Sequence, residues 1–190
     1  DNPTVNIDSK VLIVSITSFI YNDIRRRKNM EMLRKLSYYD SLTNAYNRNA
    51  YFGELGRLEE EGTGTLGIVY VDVNGLKRVN DTMGHKAGDH LIVSVADKLF
   101  QCLPGGEVYR VGGDEFIVFC KNLPKEQFET MVDNLQRSWD EESSAAVGVV
   151  WTDRTEEIES KVSAAEKKMY IGKRKFYERR GMERRSDSRR

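Results

Sequence analysis

The chain has 190 residues, enough for one domain with additional elements. Hydrophobic residues make up 39% and charged residues 32%, the balance of a soluble globular chain. Thirty basic residues against 30 acidic ones leave no net charge, which argues against a broad nucleic-acid surface.

In chain order, the first residues are Asp1-Asn2-Pro3, without Met, as in a piece of something longer. Val11 to Ile20 is apolar, but about 20 residues are needed to span a membrane, so no span is expected in this chain. A cytoplasmic location is expected, including the cytoplasmic part of a larger, membrane-anchored protein. From Val11 to Tyr38 no Pro or Gly interrupts a run with apolar residues at Leu12, Ile16, Ile20, Ile24, Met30, Leu33 and Leu36. This predicts one helix of about 42 Å, a connector or coiled-coil dimer stalk. A helix over 47–61 precedes the turn Gly62-Thr63-Gly64. Leu66 to Val71 is continuously apolar and leads to Asp72, the pattern of a central strand buried on both faces. A short helical turn and a helix over 88–102 follow, then a hairpin over 106–121 centred on Gly112-Gly113. A helix over 125–141, a strand over 145–152 and an acid-first, base-last helix over 155–177 complete the order. The two cysteines, Cys102 and Cys120, lack metal-ligand spacing, and no secretory signal is visible; two reduced, interior thiols are expected. Arg179 to Arg190 carries six arginines and reads as a solvated, disordered basic tail.

The core order β-α-β-β-α-β predicts an α+β, ferredoxin-like or palm-type antiparallel sheet flanked by helices, preceded by the long N-terminal helix. Asp114 and Glu115 directly follow the hairpin glycines. Acids at a tight turn between apolar strands suit a divalent cation held against phosphate better than they suit stability. Pairing of the first strand with the hairpin would bring Asp72 to the same edge of the sheet.

Gly112-Gly113-Asp114-Glu115-Phe116 resembles the signature of the GGDEF family, the diguanylate cyclases. Three further segments resemble that family in order and spacing: Asp40-Ser41-Leu42-Thr43 with Asn47-Arg48; Asp72 to Asp81 continuing through Gly84-His85-Lys86-Ala87-Gly88-Asp89; and Ala165 to Tyr170 with Lys173. The resemblance implies a connector over 1–36 that ends an upstream sensor region, a catalytic domain over 37–178, and the tail over 179–190. The stalk is also similar, more weakly, to the closing helix of a GAF-type sensor.

The family's reaction joins two GTP into cyclic di-GMP and releases two pyrophosphates, each 3′-hydroxyl attacking the α-phosphorus of the other nucleotide. The resemblance implies two Mg²⁺ ions per site, with Mn²⁺ as a substitute, held by Asp72, the Val73 carbonyl, Asp114 and Glu115. Asp114 is also the candidate proton acceptor, Glu115 its acidic neighbour, and Lys77 a stabiliser of phosphate charge. Asn80 and Asp89 would read guanine, because a carboxylate accepts from N1–H and N2–H₂ and an amide both gives and accepts. His85 would line the nucleotide. Lys173 would contact phosphate, and Arg174 stands in for the second phosphate contact, because the family's closing glycine-arginine-asparagine is missing. Asp40 and Arg48 would fix local geometry. Taken alone, Lys77 reads as surface, Asp89 as a helix cap and Asn80 as a turn residue.

Two departures complete the pattern: Asn74 stands where an Asp is common, and Asn44 where the family has a glycine. The inhibitory Arg-x-x-Asp positions are Leu103 and Gly106, so no product inhibition through that site is expected. Because one domain would hold one GTP, a homodimer is implied, transient at least. The alternatives are a catalytically silent GTP-binding receptor or scaffold, and a cyclase of mixed nucleotide product.

Overall fold

The structure, a computed structural model, describes residues 9–139, 144–154 and 156–179. The chain divides into two compact units, Asp1–Ser37 and Tyr38–Arg190.

Helix α1, Ser9–Tyr38, belongs to the first unit except for its last residue. Leu12, Ile16, Ile20, Ile24 and Met30 are all between 48% and 63% exposed. Ile13, Val14, Phe19 and Tyr21 are exposed as well, so the apolar surface is broader than the expected single seam. The expected seam positions Leu33 and Leu36 have side chains outside the described residues. No helix among the described residues is long and apolar enough to cross a membrane.

The second unit is built on a four-stranded antiparallel sheet of order β2-β3-β1-β4, formed by β1 (Leu66–Val73), β2 (Glu107–Arg110), β3 (Glu115–Lys121) and β4 (Ala145–Thr152). Helices α2 (Arg48–Glu61), α3 (Leu76–Met83), α4 (His85–Cys102), α5 (Lys125–Ser138) and α6 (Ile158–Arg179) complete it. This is the expected split β-α-β-β-α-β order, with α3 and α4 sharing the first crossover. Every residue of β1 is buried. Strand alternation sorts the core into two layers. Val69, Val71, Val73, Phe116 and Val118 pack against α4 and α5 through Leu91, Val95, Leu99, Phe128 and Leu135. Ile68, Tyr70, Ile117 and Phe119 pack against α2 and α6 through Tyr51, Leu55, Leu58, Ile158, Val162 and Met169. Each such large apolar side chain contributes about 1.5–3 kcal/mol on burial.

Three boundaries differ from the sequence expectation. Helix α4 starts at His85 rather than 88, because Gly84, at φ 83°, turns the chain and its carbonyl already accepts from Ala87 N–H. Helix α6 starts at Ile158 rather than 155, because Glu157 lies at φ 54°, outside helical space. Helix α5 ends at Ser138; the rest of its expected span enters 140–143, outside the described residues. The tail expectation likewise lies outside them from residue 180 onward. Cys120 is buried as expected, whereas Cys102 is half-buried.

Candidate active site

Asp72 is the next-to-last residue of β1 and shares the face of Ile68 and Tyr70, the face covered by α6. Its register partner across the sheet is Glu115, the first residue of β3. Val73 N–H donates to the Asp114 carbonyl at 2.9 Å, which locks the hairpin turn against the end of β1. Asp72, Asp114 and Glu115 therefore meet at one edge of the sheet, as the strand pairing required.

Helix α6 adds a cation. Lys173 is 9% exposed. Its Nζ hydrogen-bonds Asp72 Oδ1 and lies 4.0 Å from Asp114 Oδ2. A buried ammonium needs such a partner, because an unpaired charge there would be strongly destabilising. Burial first, with the charges of Asp114 and Glu115, outweighs the hydrogen bond and charge of Lys173, so the Asp72 carboxyl is pushed up to about 6.

The donor chemistry of this edge fits Mg²⁺ or Mn²⁺: carboxylate and carbonyl oxygens, with a cation already held between two acids. The acids are not drawn together into a finished cage. Among the described residues, no group of three or more His, Cys, Asp or Glu is placed to hold a metal ion.

Beyond Asp72 the chain turns through Asn74 and Gly75 into α3. Asn74 is buried; its N–H donates to the Ser144 carbonyl at 3.0 Å, and its Oδ1 has no hydrogen-bond partner among the described residues. Gly75, at φ 72°, makes the turn that starts α3. Its N–H points to Tyr177 Oη on α6, at 3.4 Å. Lys77 and His85 are exposed at the starts of α3 and α4. Asn80 on α3 lies against Gly88 of α4, the residue before the exposed Asp89. Arg174 is exposed and pairs with Glu178 at 3.1 Å one turn along α6 rather than with the acids.

Two positioning residues were not legible as such. Arg110 precedes the signature glycines; its NH2 donates to the Gly113 carbonyl at 2.8 Å, and its NH1 pairs with Asp40 Oδ1 at 3.0 Å. Asp40 Oδ1 also accepts from Thr43 N–H at 3.0 Å and Thr43 Oγ1 at 2.7 Å. The opening motif thus holds the signature turn through Arg110. Arg48 instead lies over the Phe52 ring at 5.6 Å. Asn44 adopts φ 58°, which explains a glycine preference there and why Asn is accepted. Tyr177 is the second: the seating of α6 brings its hydroxyl to the Gly75 N–H.

Burial pushes the Asp40 carboxyl up, but the Thr43 and Arg110 hydrogen bonds outweigh it and hold the carboxyl below its ordinary value of 3.8. A depressed native value stabilises above the unfolded value and is lost as pH falls through the native one. Asp40→Asn is therefore expected to lower stability at neutral pH by about 1.5–3 kcal/mol. In thermal melts the gap between parent and variant should close as pH drops below 3.8; a gap independent of pH would remove the charge from the account.

The positions where the resemblance led to the expectation of no Arg-x-x-Asp pair are closely packed. Leu103 is 1% exposed in the core, and a Cβ added at Gly106 would lie 2.9 Å from Val118 Cγ1.

The family profile described as diguanylate cyclase, GGDEF domain matches residues 37–179. A stretch of 111 residues, 57% of the chain, is 35% identical to the cyclic di-GMP phosphodiesterase PdeR of Escherichia coli K12 and spans 17% of that protein. A stretch of 153 residues, 73% of the chain, is 31% identical to the diguanylate cyclase DgcP of Escherichia coli K12 and spans 45% of it. The chain thus spans less than half the length of both relatives. The crystal structure of the coiled coil and GGDEF domain of DgcB from Caulobacter crescentus, in complex with c-di-GMP, superposes with a TM-score of 0.71 at 26% identity, covering 86% of this chain and 95% of that one.

Proposed function

The chain belongs to the diguanylate cyclase GGDEF-domain family, and we propose that it condenses two GTP molecules into cyclic di-GMP and two pyrophosphates, as a homodimer whose two sites face each other. The carrying observation is the convergence of Asp114 and Glu115 with Asp72 at one sheet edge, with the buried Lys173 cation between two of them. Asp72, Asp114, Glu115 and the Val73 carbonyl would hold Mg²⁺ or Mn²⁺. The bound metal would neutralise the triphosphate and make the 3′-hydroxyl more acidic.

The remaining steps belong to this chain's own side chains. Asp114 takes the proton from the attacking 3′-hydroxyl. Lys77 meets the negative charge of the phosphates. Lys173 balances Asp72 and stands ready for a phosphate when the acids take up metal. Asn80 and Asp89 select guanine, because a competing base would leave their hydrogen-bonding groups unpaired. His85 lines the nucleotide. Tyr177 Oη lies at the Gly75 N–H in the turn after Asp72, whereas Arg174 is engaged by Glu178.

The exposed apolar surface of α1 supports a dimer stalk, with an upstream sensor region acting through it on the cytoplasmic side. Removing residues 1–30 is expected to lower turnover at dilute protein and to leave it nearly intact at high concentration. An unchanged concentration dependence would count against the stalk.

The test is incubation with GTP and Mg²⁺, with the nucleotides resolved, and the same reaction with chelator. Cyclic di-GMP formed only with metal supports the cyclase. GTP binding without product, even after fusion to a dimeric coiled coil, would favour a silent receptor. One observation favours that second reading: PdeR, similar over 111 residues, is named for the opposite activity. Added cyclic di-GMP is expected not to inhibit at the Leu103 and Gly106 positions. Tight noncompetitive inhibition lost on mutation around those positions would contradict this.

A further inference from the structure

Glycine is the least favourable residue in a helix interior after proline, so Gly88 in the first turn of α4 calls for a packing reason. The reason is on α3. A Cβ at position 88 would lie 2.0 Å from Asn80 Oδ1, 2.9 Å from Asn80 Cγ and 3.0 Å from Leu76 Cδ1. Gly88 is buried, so the overlap cannot be relieved into solvent at that spot. The obstacles are ends of side chains rather than backbone, so an added methyl would turn Asn80 aside and leave the helices in place. Asn80 Oδ1 is buried and has no hydrogen-bond partner among the described residues. A buried acceptor left unpaired is unfavourable unless a ligand completes it.

We infer that Gly88 is a specificity-positioning residue: its missing side chain is the space that seats the Asn80 amide beside Asp89, and this seat sets the preference for guanine over adenine. The inference rests on the reading of Asn80 as a guanine contact. Gly88 itself touches no part of the reaction; it acts through Asn80. A bulkier residue at 88 is thus expected to change which base binds without changing whether the domain folds.

The experiment measures binding of GDP and ADP by calorimetry, since neither has a pyrophosphate to release, together with melting temperature. The proteins are the parent, Gly88→Ala, Asn80→Ala, the double variant, and Gly53→Ala as a helix-glycine control where an added Cβ meets nothing within 4 Å. Gly88→Ala is expected to reduce the GDP-over-ADP preference by about tenfold or more, the scale expected when a polar contact is lost. Its melting temperature should stay close to that of Gly53→Ala. The double variant should be no less selective than Asn80→Ala alone, because the methyl has nothing left to displace. If Asn80→Ala loses the preference and Gly88→Ala keeps it, the positioning role is overturned while the guanine contact stands. If Asn80→Ala keeps the preference, the guanine contact itself fails, and the role of Gly88 with it. A large melting-temperature loss in Gly88→Ala alone would show that the backbone moved instead of Asn80, which also overturns the inference.

Discussion

Asp114→Asn is expected to remove cyclic di-GMP formation, with the rate falling on the order of 10³-fold or more, since a positioned general base alone contributes about 10²–10⁴-fold. The amide is nearly the same size, so the change is one of charge and basicity. The Asp114 side chain is 40% exposed. The contact that locks the turn to β1 uses its carbonyl, which the variant keeps. The fold should therefore survive, and the melting temperature should remain near that of the parent. Loss of activity with an intact melt identifies the carboxylate as part of the chemistry. Turnover that persists near the parental rate in the variant would remove Asp114 from the mechanism and return the role to Asp72 and Glu115.

Gly148→Ala is expected to have the largest effect on stability. Gly148 lies in β4 beneath α6, and a Cβ there would be 2.0 Å from the Ala165 carbonyl oxygen and 2.3 Å from the Met169 amide nitrogen. Both obstacles are backbone of a hydrogen-bonded helix, so no rotamer change relieves them. Helix α6 must lift from the sheet, and overpacking of this kind costs about 3 kcal/mol. For a domain of this size that corresponds to a fall in melting temperature on the order of 10 °C. The consequence reaches the site, because Met169 lies one turn before Lys173. A lifted helix withdraws the ammonium from Asp72, so activity should fall even at temperatures where the variant is folded. A variant with parental stability and parental turnover would mean that α6 does not sit on β4 as closely as the structure has it. The contrast with Gly88 is instructive. There the added methyl meets the end of a side chain, and the expected damage is to selectivity rather than to the fold.

Much of the architecture was legible because its signals are local. The apolar run of β1 and the extent of β4, Ala145–Thr152, could be read from composition and alternation alone. The glycine pair marked the hairpin, and antiparallel pairing of β1 with β3 then follows from the element order. Boundaries were less legible where a single backbone angle decides them. Nothing in Thr155-Glu156-Glu157 announces that Glu157 will take φ 54° and delay α6. The i+4 apolar row of α1 was visible, but the exposed Ile13, Val14 and Phe19 beside it widen the surface beyond a heptad seam.

The acids of the site were likewise legible as types: Asp72 at a strand end, Asp114 and Glu115 at a turn. What lay outside the sequence was how distant segments are brought to bear on them. Lys173 is 101 positions from Asp72 in the chain, and only the seating of α6 on β4 brings its ammonium to that carboxylate. Arg110 lies within the expected hairpin span 106–121; packing makes it the link from Asp40, 70 positions away, to the signature turn. Arg174 and Tyr177 differ in the same way: residue type favoured the arginine, while the helical turn directs it toward Glu178 and gives the Gly75 N–H to the tyrosine. The acids at a strand end and a turn, and the elements that bear them, could be read from the chain alone, because they follow from residue type and short-range pattern. Which long-range groups meet at the site, and which glycines are spaces kept for a neighbour, was decided only by tertiary packing, because close contact between separate elements leaves no period in the sequence to read.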